Sequence, residues 1–295
     1  MKNDTIIASA TPPGIGGLSV LRLSGPISLK SLSSLSKKPL SFFSPRMATL
    51  SSIFDNSGTL IDTCIVTFFP APASYTAEDV VEVSCHGSPV IVDSLLSAFL
   101  DFGLRLAYPG EFTKRAFLNG KLDLVQAESV AQLISSKSDR AAKLTNRVFS
   151  GALSDRLDTL RNDIMILHSA CEHGLDISEE DFDDDFNISS LFTINNISSK
   201  CRFFLEGFDE NRYCISGARV VISGKPNVGK STLFNALVGT ERAITSEWPG
   251  TTRDYIETEL VINGVPVQLF DTAGLRESYD TVEEEGVRRA LSVKN

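Results

Sequence analysis

Eight residues, Gly224-Lys-Pro-Asn-Val-Gly-Lys-Ser231, restrict what this chain can fold into more than any other feature. An apolar run over 219–223 precedes them, and Thr232-Leu-Phe-Asn-Ala-Leu-Val238 follows at helical spacing. The spacing GxxxxGK[ST] between a strand and a helix is a phosphate-binding loop. Gly224 and Gly229 let consecutive N–H groups converge on phosphate oxygens at the positive end of the helix. Lys230 reaches the terminal phosphates and Ser231 offers a hydroxyl to magnesium. The strand and the helix must therefore pack as an α/β layer.

Two further pieces follow in the order a GTPase requires. Gly250-Thr-Thr-Arg-Asp254 lies in a polar loop, where a threonine hydroxyl can complete magnesium coordination and sense the last phosphate. Residues 257–262 and 265–270 are strand-like runs joined by Asn263-Gly264, a strong hairpin signal. The second run ends in Asp271-Thr-Ala-Gly274, an acidic side chain and a flexible glycine beside metal and terminal phosphate. Together the three motifs describe a nucleotide switch. Leu275 follows, so the glutamine with which many GTPases orient water is missing there.

The chain has 295 residues, 42% hydrophobic and 22% charged, room for two or three domains. No apolar run approaches membrane-spanning length, the opening MKNDTII has no signal-peptide pattern, and a cytoplasmic setting is expected. Cys64, Cys85, Cys171, Cys201 and Cys214 are scattered without CxxC spacing, so neither a disulfide framework nor a zinc site is expected. The net charge of −9 argues against a broad nucleic-acid-binding surface, although the excess is concentrated in the middle of the chain, leaving room for a basic patch on the first segment.

Residues 1 to about 118 read as a compact α+β domain. Strands are expected at 5–10, 18–23, 48–54, 60–69 and 80–84, with a hairpin turn at Asp55-Asn-Ser-Gly58 and a helix over 89–102 that opens on proline. The loop Thr11-Pro-Pro-Gly-Ile-Gly-Gly17 is no dinucleotide fingerprint, because a strand stands where the helix should be. Arg22 and Glu82 stand on aliphatic strands, and pattern alone reads them as solvent-facing charges. From Leu122 the period becomes helical, with Leu153, Leu157, Leu160, Ile164 and Leu167 forming a seam and a further helix between 188 and 208. Residues 172–186 read as an acidic, solvated connection that lacks the ligand pattern of a calcium loop. His168 and His173 have no partners at metal-ligand spacing.

The chain resembles the tRNA-modification GTPases of the MnmE (TrmE) family. The resemblance is carried by DTIIASATPPGIGG, LRLSG, YTAEDVVEVSCHG, PGEFTKRAFLNGKLDLVQAE, DISEED, GKPNVGKS, PGTTRD and DTAGLRE, and so runs the length of the chain. It implies a multidomain fold, α+β and α/β: an α+β tetrahydrofolate-binding and dimer-forming domain at 1–118, the first part of an α-helical domain at 119–217, and the N-terminal part of an inserted P-loop GTPase domain at 218–295. The chain ends at Asn295, before any NKxD base-reading motif and before the family's C-terminal cysteine motif, so an incomplete GTPase domain is expected.

The resemblance also implies an activity. With a flavin-containing partner, MnmG (GidA), the family modifies carbon five of the wobble uridine of certain tRNAs, adding an aminomethyl or carboxymethylaminomethyl group. 5-Formyltetrahydrofolate or methylenetetrahydrofolate is the folate involved, and potassium-activated GTP hydrolysis drives the cycle. By motif, Arg22, Glu82 and Lys121 match the folate contacts. Asn227, Val228, Gly229, Lys230, Ser231 and Thr232, then Ser246, Thr251 and Thr252, then Asp271, Thr272, Ala273 and Gly274, match the GTP site. Ser231 and Thr252 match the Mg2+ ligands, and Asn227, Ser246, Trp248 and Thr251 the K+ ligands. Potassium would then supply the charge of an arginine finger, and Glu283 would position the attacking water in place of the absent glutamine.

Overall fold

A computed structural model describes residues 4–176, 184–223, 228–240 and 257–271. The chain divides into two compact units, Met1–Ala127 and Glu128–Asn295.

The first unit is built on one sheet. Its elements are β1 (Ile6–Ser9), β2 (Gly16–Ser24), α1 (Ser28–Ser36), a single 3-10 turn (Leu40–Phe42), β3 (Thr49–Phe54), β4 (Leu60–Phe69), β5 (Val80–Gly87), α2 (Pro89–Asp101), β6 (Arg105–Leu106) and α3 (Glu111–Leu118). The strands lie in the order β3-β4-β5-β2-β1-β6. All pairs are antiparallel except β1 with β6. Alternation along the strands sends Leu21, Leu23, Ile53, Val66, Val81 and Val83 to one face, where they pack with Leu32 and Leu35 of α1 and Leu95 and Phe99 of α2. The opposite face carries Val20, Arg22, Glu82 and Ser84, each half-buried. Leu18, Leu50 and Ile65 are exposed on it.

Local chemistry fixes the register. In the β3–β4 turn, Asp55 Oδ1 accepts hydrogen bonds from the Thr59 N–H at 2.8 Å and the Ser57 hydroxyl at 2.6 Å, while Gly58 takes φ +85°. At the other end of the sheet Gly87 lies opposite Gly16, and a Cβ on Gly87 would stand 2.4 Å from the Gly16 carbonyl oxygen.

Helix α4 (Leu124–Ile134) begins in the first unit and ends in the second, whose further helices are α5 (Asp139–Phe149), α6 (Ala152–Asp176), α7 (Asp184–Glu206) and α8 (Phe208–Ser216). Ser138 caps α5 by accepting the Ala141 N–H at 3.1 Å. Helix α6 extends to Asp176 and α7 begins at Asp184, so the acidic stretch expected as a connection from 172 to 186 contributes to both helices; residues 177–183 lie outside the described ones. The seam on α6 is only partly covered, with Leu157 at 40% and Ile164 at 46% exposure.

A second sheet follows, from β7 (Ala218–Ile222), β8 (Glu257–Ile262) and β9 (Val265–Asp271), with α9 (Lys230–Thr240) after β7. The order is β7-β9-β8, parallel between β7 and β9 and antiparallel across the β8–β9 hairpin. The hairpin turns at Asn263 and Gly264, both at positive φ, as the dipeptide requires. Phe234 packs on Leu260 and Leu269 to form a small core, with Ile222, Leu237 and Ile262 around it. Among the described residues no helix is long and apolar enough to cross a membrane.

Candidate functional sites

In the first unit the antiparallel register sets Arg22 of β2 directly opposite Glu82 of β5. The guanidinium Nε donates to Glu82 Oε1 at 2.9 Å, and Nη2 lies 2.7 Å from the same oxygen. Each side chain is 29% exposed. The solvated charges that alternation suggests are in fact a half-buried ion pair. Two rings flank it: the Arg22 guanidinium carbon lies 5.1 Å from the Tyr75 ring centroid and 6.0 Å from that of Phe112. Tyr75 sits in the loop between β4 and β5, and its hydroxyl is 2.9 Å from the Thr113 hydroxyl of α3. The Asn119 amide donates to the Thr76 carbonyl at 2.7 Å, tying the same loop to the end of α3. Lys121 is exposed in the turn that closes α3, its N–H donating to the Ala116 carbonyl at 2.8 Å. Arg22 and Glu82 are thus brought together, whereas no hydrogen bond or ion pair among the described residues joins Lys121 to them.

Charges behind α3 hold this wall in place. Arg105 donates from Nε to Asp4 at 2.6 Å and forks onto Glu111 at 2.5 and 2.8 Å. Arg115, nearly buried, donates to Asp4 at 2.9 Å, Glu78 at 3.0 Å and Glu111 at 3.1 Å. Hydrogen bonding from Arg105 holds the Glu111 carboxyl down at about 2, against the opposing effect of its burial. The Asp4 carboxyl is lowered chiefly by the same arginine.

In the second unit, Gly229 takes φ +93°, the conformation for which sequence reasoning requires glycine, and a Cβ there would meet nothing within 4 Å. Its carbonyl accepts the Leu233 N–H at 2.9 Å, so Lys230 and Ser231 stand in the first turn of α9. Val228 and Thr232 are exposed. Parallel pairing puts Ile222, the end of β7, beside Asp271, the end of β9. The phosphate loop and the DTAG segment therefore leave the same edge of the sheet, the carboxyl ends of adjacent parallel strands, where α/β folds bind ligands. Asn227, Ser246, Trp248, Thr251, Thr252, Thr272, Ala273, Gly274 and Glu283, and the side chains of Ser231 and Asp271, lie outside the described residues.

Sequence reasoning missed Tyr75 and Phe112. Both lie in stretches singled out for other reasons, YTAEDVVEVSCHG and PGEFTKRAFLNGKLDLVQAE, and an aromatic residue in each was the available signal.

Residues 5–121 match the family model described as GTP-binding protein TrmE N-terminus, and residues 219–295 match that of 50S ribosome-binding GTPase. A protein of Dichelobacter nodosus named tRNA modification GTPase MnmE is 46% identical over 289 residues, 98% of this chain and 64% of its own length. Proteins of the same name from Sulfurimonas denitrificans and Carboxydothermus hydrogenoformans are 42% and 41% identical, over 100% of this chain and 66% and 65% of their own. The chain spans a little under two thirds of the length of these relatives. With the family's N-terminal domain, a GTPase domain and this breadth of identity, the chain belongs to the TrmE family of GTP-binding proteins, whose relatives bear the name MnmE.

Proposed function

We propose that this chain acts in tRNA modification as a GTP hydrolase whose first unit binds a reduced folate. The observation that carries the reading is the pairing of Ile222 with Asp271, which ends the strands that precede the phosphate loop and the DTAG segment at one sheet edge, in a chain whose residues 5–121 match the TrmE N-terminus. The residues present suit the ligands. Gly229 and the first turn of α9 suit the phosphates of GTP, and Ser231 and Thr252 would supply oxygen donors to Mg2+. Asn227, Ser246, Trp248 and Thr251 would hold K+, which supplies positive charge to the terminal phosphate when bound, and Glu283 would position water.

At the first site, a carboxylate, a guanidinium and two rings suit a flat heteroaromatic ligand bearing an anionic tail. Glu82 would accept from the pterin ring beside the Arg22 guanidinium, and Lys121 would meet the glutamate tail. The wider reading has a homodimer, a cytoplasmic setting, a flavin-containing partner of the MnmG type, and methylenetetrahydrofolate or 5-formyltetrahydrofolate serving modification at carbon five of a wobble uridine. The relatives' printed name favours tRNA as the substrate. A ribosome-assembly GTPase is the other reading, supported by the description of the model matched at 219–295, but it leaves residues 5–121 without a role.

Calorimetric titration of the chain with 5-formyltetrahydrofolate tests the first site. Saturable binding is expected, weakened at least tenfold in Arg22→Ala and in Lys121→Ala; a folded chain that binds none would overturn the folate reading.

A further inference from the structure

Arg22 and Glu82 stand on the sheet of the first unit and Lys121 follows α3, yet two consecutive residues of one loop reach both places. Between β4 and β5 the chain passes through Tyr75 and Thr76, and each makes one contact with β2 and one with α3 or its cap. The Tyr75 ring centroid lies 5.1 Å from the Arg22 guanidinium carbon, and the Tyr75 hydroxyl is 2.9 Å from that of Thr113. The Thr76 hydroxyl is 2.6 Å from that of Ser24, next but one after Arg22 on β2, and the Thr76 carbonyl accepts the Asn119 amide at 2.7 Å. Ser24 and Thr76 are fully buried, so their hydroxyls have no water to turn to and the pair resists opening.

The end of α3 fixes the root of Lys121. Its N–H donates to the Ala116 carbonyl at 2.8 Å, the Gly120 N–H donates to the Phe117 carbonyl at 3.0 Å, and Gly120 takes φ +71°. These are the two bonds and the left-handed glycine of a Schellman motif, so the Lys121 backbone moves only with the last turn of the helix. Asn119, exposed, caps that turn, and its amide makes the one side-chain hydrogen bond from residues 116–121 among the described residues. The charges behind α3 act elsewhere: Glu111 opens the helix and Arg115 lies in its middle. Only the tie from Asn119 to Thr76 acts, among the described side chains, on the turn that carries the lysine.

Resting on the folate reading above, we propose that Tyr75 and Thr76 staple β2 to α3, and that Asn119 is a positioning residue which, through the Thr76 carbonyl, sets where Lys121 stands relative to the Arg22–Glu82 pair. A reduced folate carries its pterin and its carboxylate tail at opposite ends of one molecule. Receiving both ends at once needs a set separation between the groups that meet them, and a lysine rooted in advance loses less freedom on binding. Tyr75 serves the other end in the same way: its ring lies against the Arg22 guanidinium, and the Thr113 hydroxyl holds the ring. Asn119 and Thr113 thus act through other side chains and not on the ligand.

Calorimetry of the full chain with 5-formyltetrahydrofolate tests this in Asn119→Ala, in Lys121→Ala and in the two combined. Asn119→Ala, a change at an exposed site, is expected to keep the circular dichroism of the natural chain and to bind about fivefold more weakly, the scale of one hydrogen bond. Lys121→Ala is expected to lose about tenfold or more, and the combined variant to stay within about twofold of it, because the amide works only by placing the lysine. Two independent injuries to the site would instead multiply, to about fiftyfold. At the other end, Thr113→Val keeps the side-chain shape and removes the hydroxyl; it is expected to weaken binding about threefold, and Thr113→Ser to bind as the natural chain does. Absence of binding by the folded wild-type chain overturns the folate reading. Binding by the wild-type chain together with an unchanged Asn119→Ala, or with losses that multiply in the combined variant, overturns the positioning role of Asn119 alone. Thr113→Ser binding no tighter than Thr113→Val overturns the part given to Tyr75.

Discussion

Glu111 illustrates how one side chain's surroundings become a property of the whole domain. Its carboxyl is held at about 2 by Arg105, well below the value near 4.5 of a free glutamate. The unfolded chain therefore takes up the proton first as the medium is acidified. Stability from this group is fully present above about pH 4.5 and is lost as pH falls toward 2. Urea midpoints followed across that window should fall more steeply for the natural chain than for Glu111→Gln, which has no proton to take up there. Glu283 makes a separate prediction: Glu283→Ala should leave GTP affinity within a few-fold while turnover drops at least a hundredfold, read by fluorescent-nucleotide binding and phosphate release in K+. At this scale the sequence named Arg22 and Glu82 through the family motifs but not their mutual contact. Sixty positions separate them, and only the strand register shows that they face one another. The same holds for Asp4, whose partners lie 101 and 111 positions away.

Elements were more legible than contacts, because their signals are local. Strands β2, β4 and β5 follow their alternating or aliphatic runs, α2 starts at its proline, and the β8–β9 hairpin turns at Asn263-Gly264. The short strand β6 has two residues and no periodicity to read; it exists because β1 offers it a parallel edge. The acidic stretch after His173 misled in part, since charge marks a solvated surface and a helix can present one as well as a loop can. Where backbones touch, side-chain tolerance vanishes. Gly87→Ala would put a methyl group against the Gly16 carbonyl, and an overpacking cost of about 1–3 kcal/mol is expected. Thermal unfolding would register it, whereas a value unchanged from the natural chain would mean that the β2–β5 end opens freely.

At the scale of the molecule, the division into two compact units predicts that damage stays local. Phe99, fully buried in the core between sheet and helices, is the largest such side chain in the first unit, and truncation to alanine should cost about 3–5 kcal/mol there. Phe99→Ala should abolish binding of 5-formyltetrahydrofolate while fluorescent-nucleotide affinity is retained; loss of both would show that the units fold as one.

The clasp on Asp4 also has a consequence in time. Strand β1 gains its second neighbour, β6, and its two arginine partners only from residues beyond position 104. Loop closure over such a distance must precede any stabilisation it brings, which raises the contact order of the domain and slows its assembly. On the ribosome the opening strand can be locked only after Arg115 has emerged. Until then the edge of β1 that β6 will cover stays open for mispairing, and an early stall in synthesis would release a sheet with that edge uncovered.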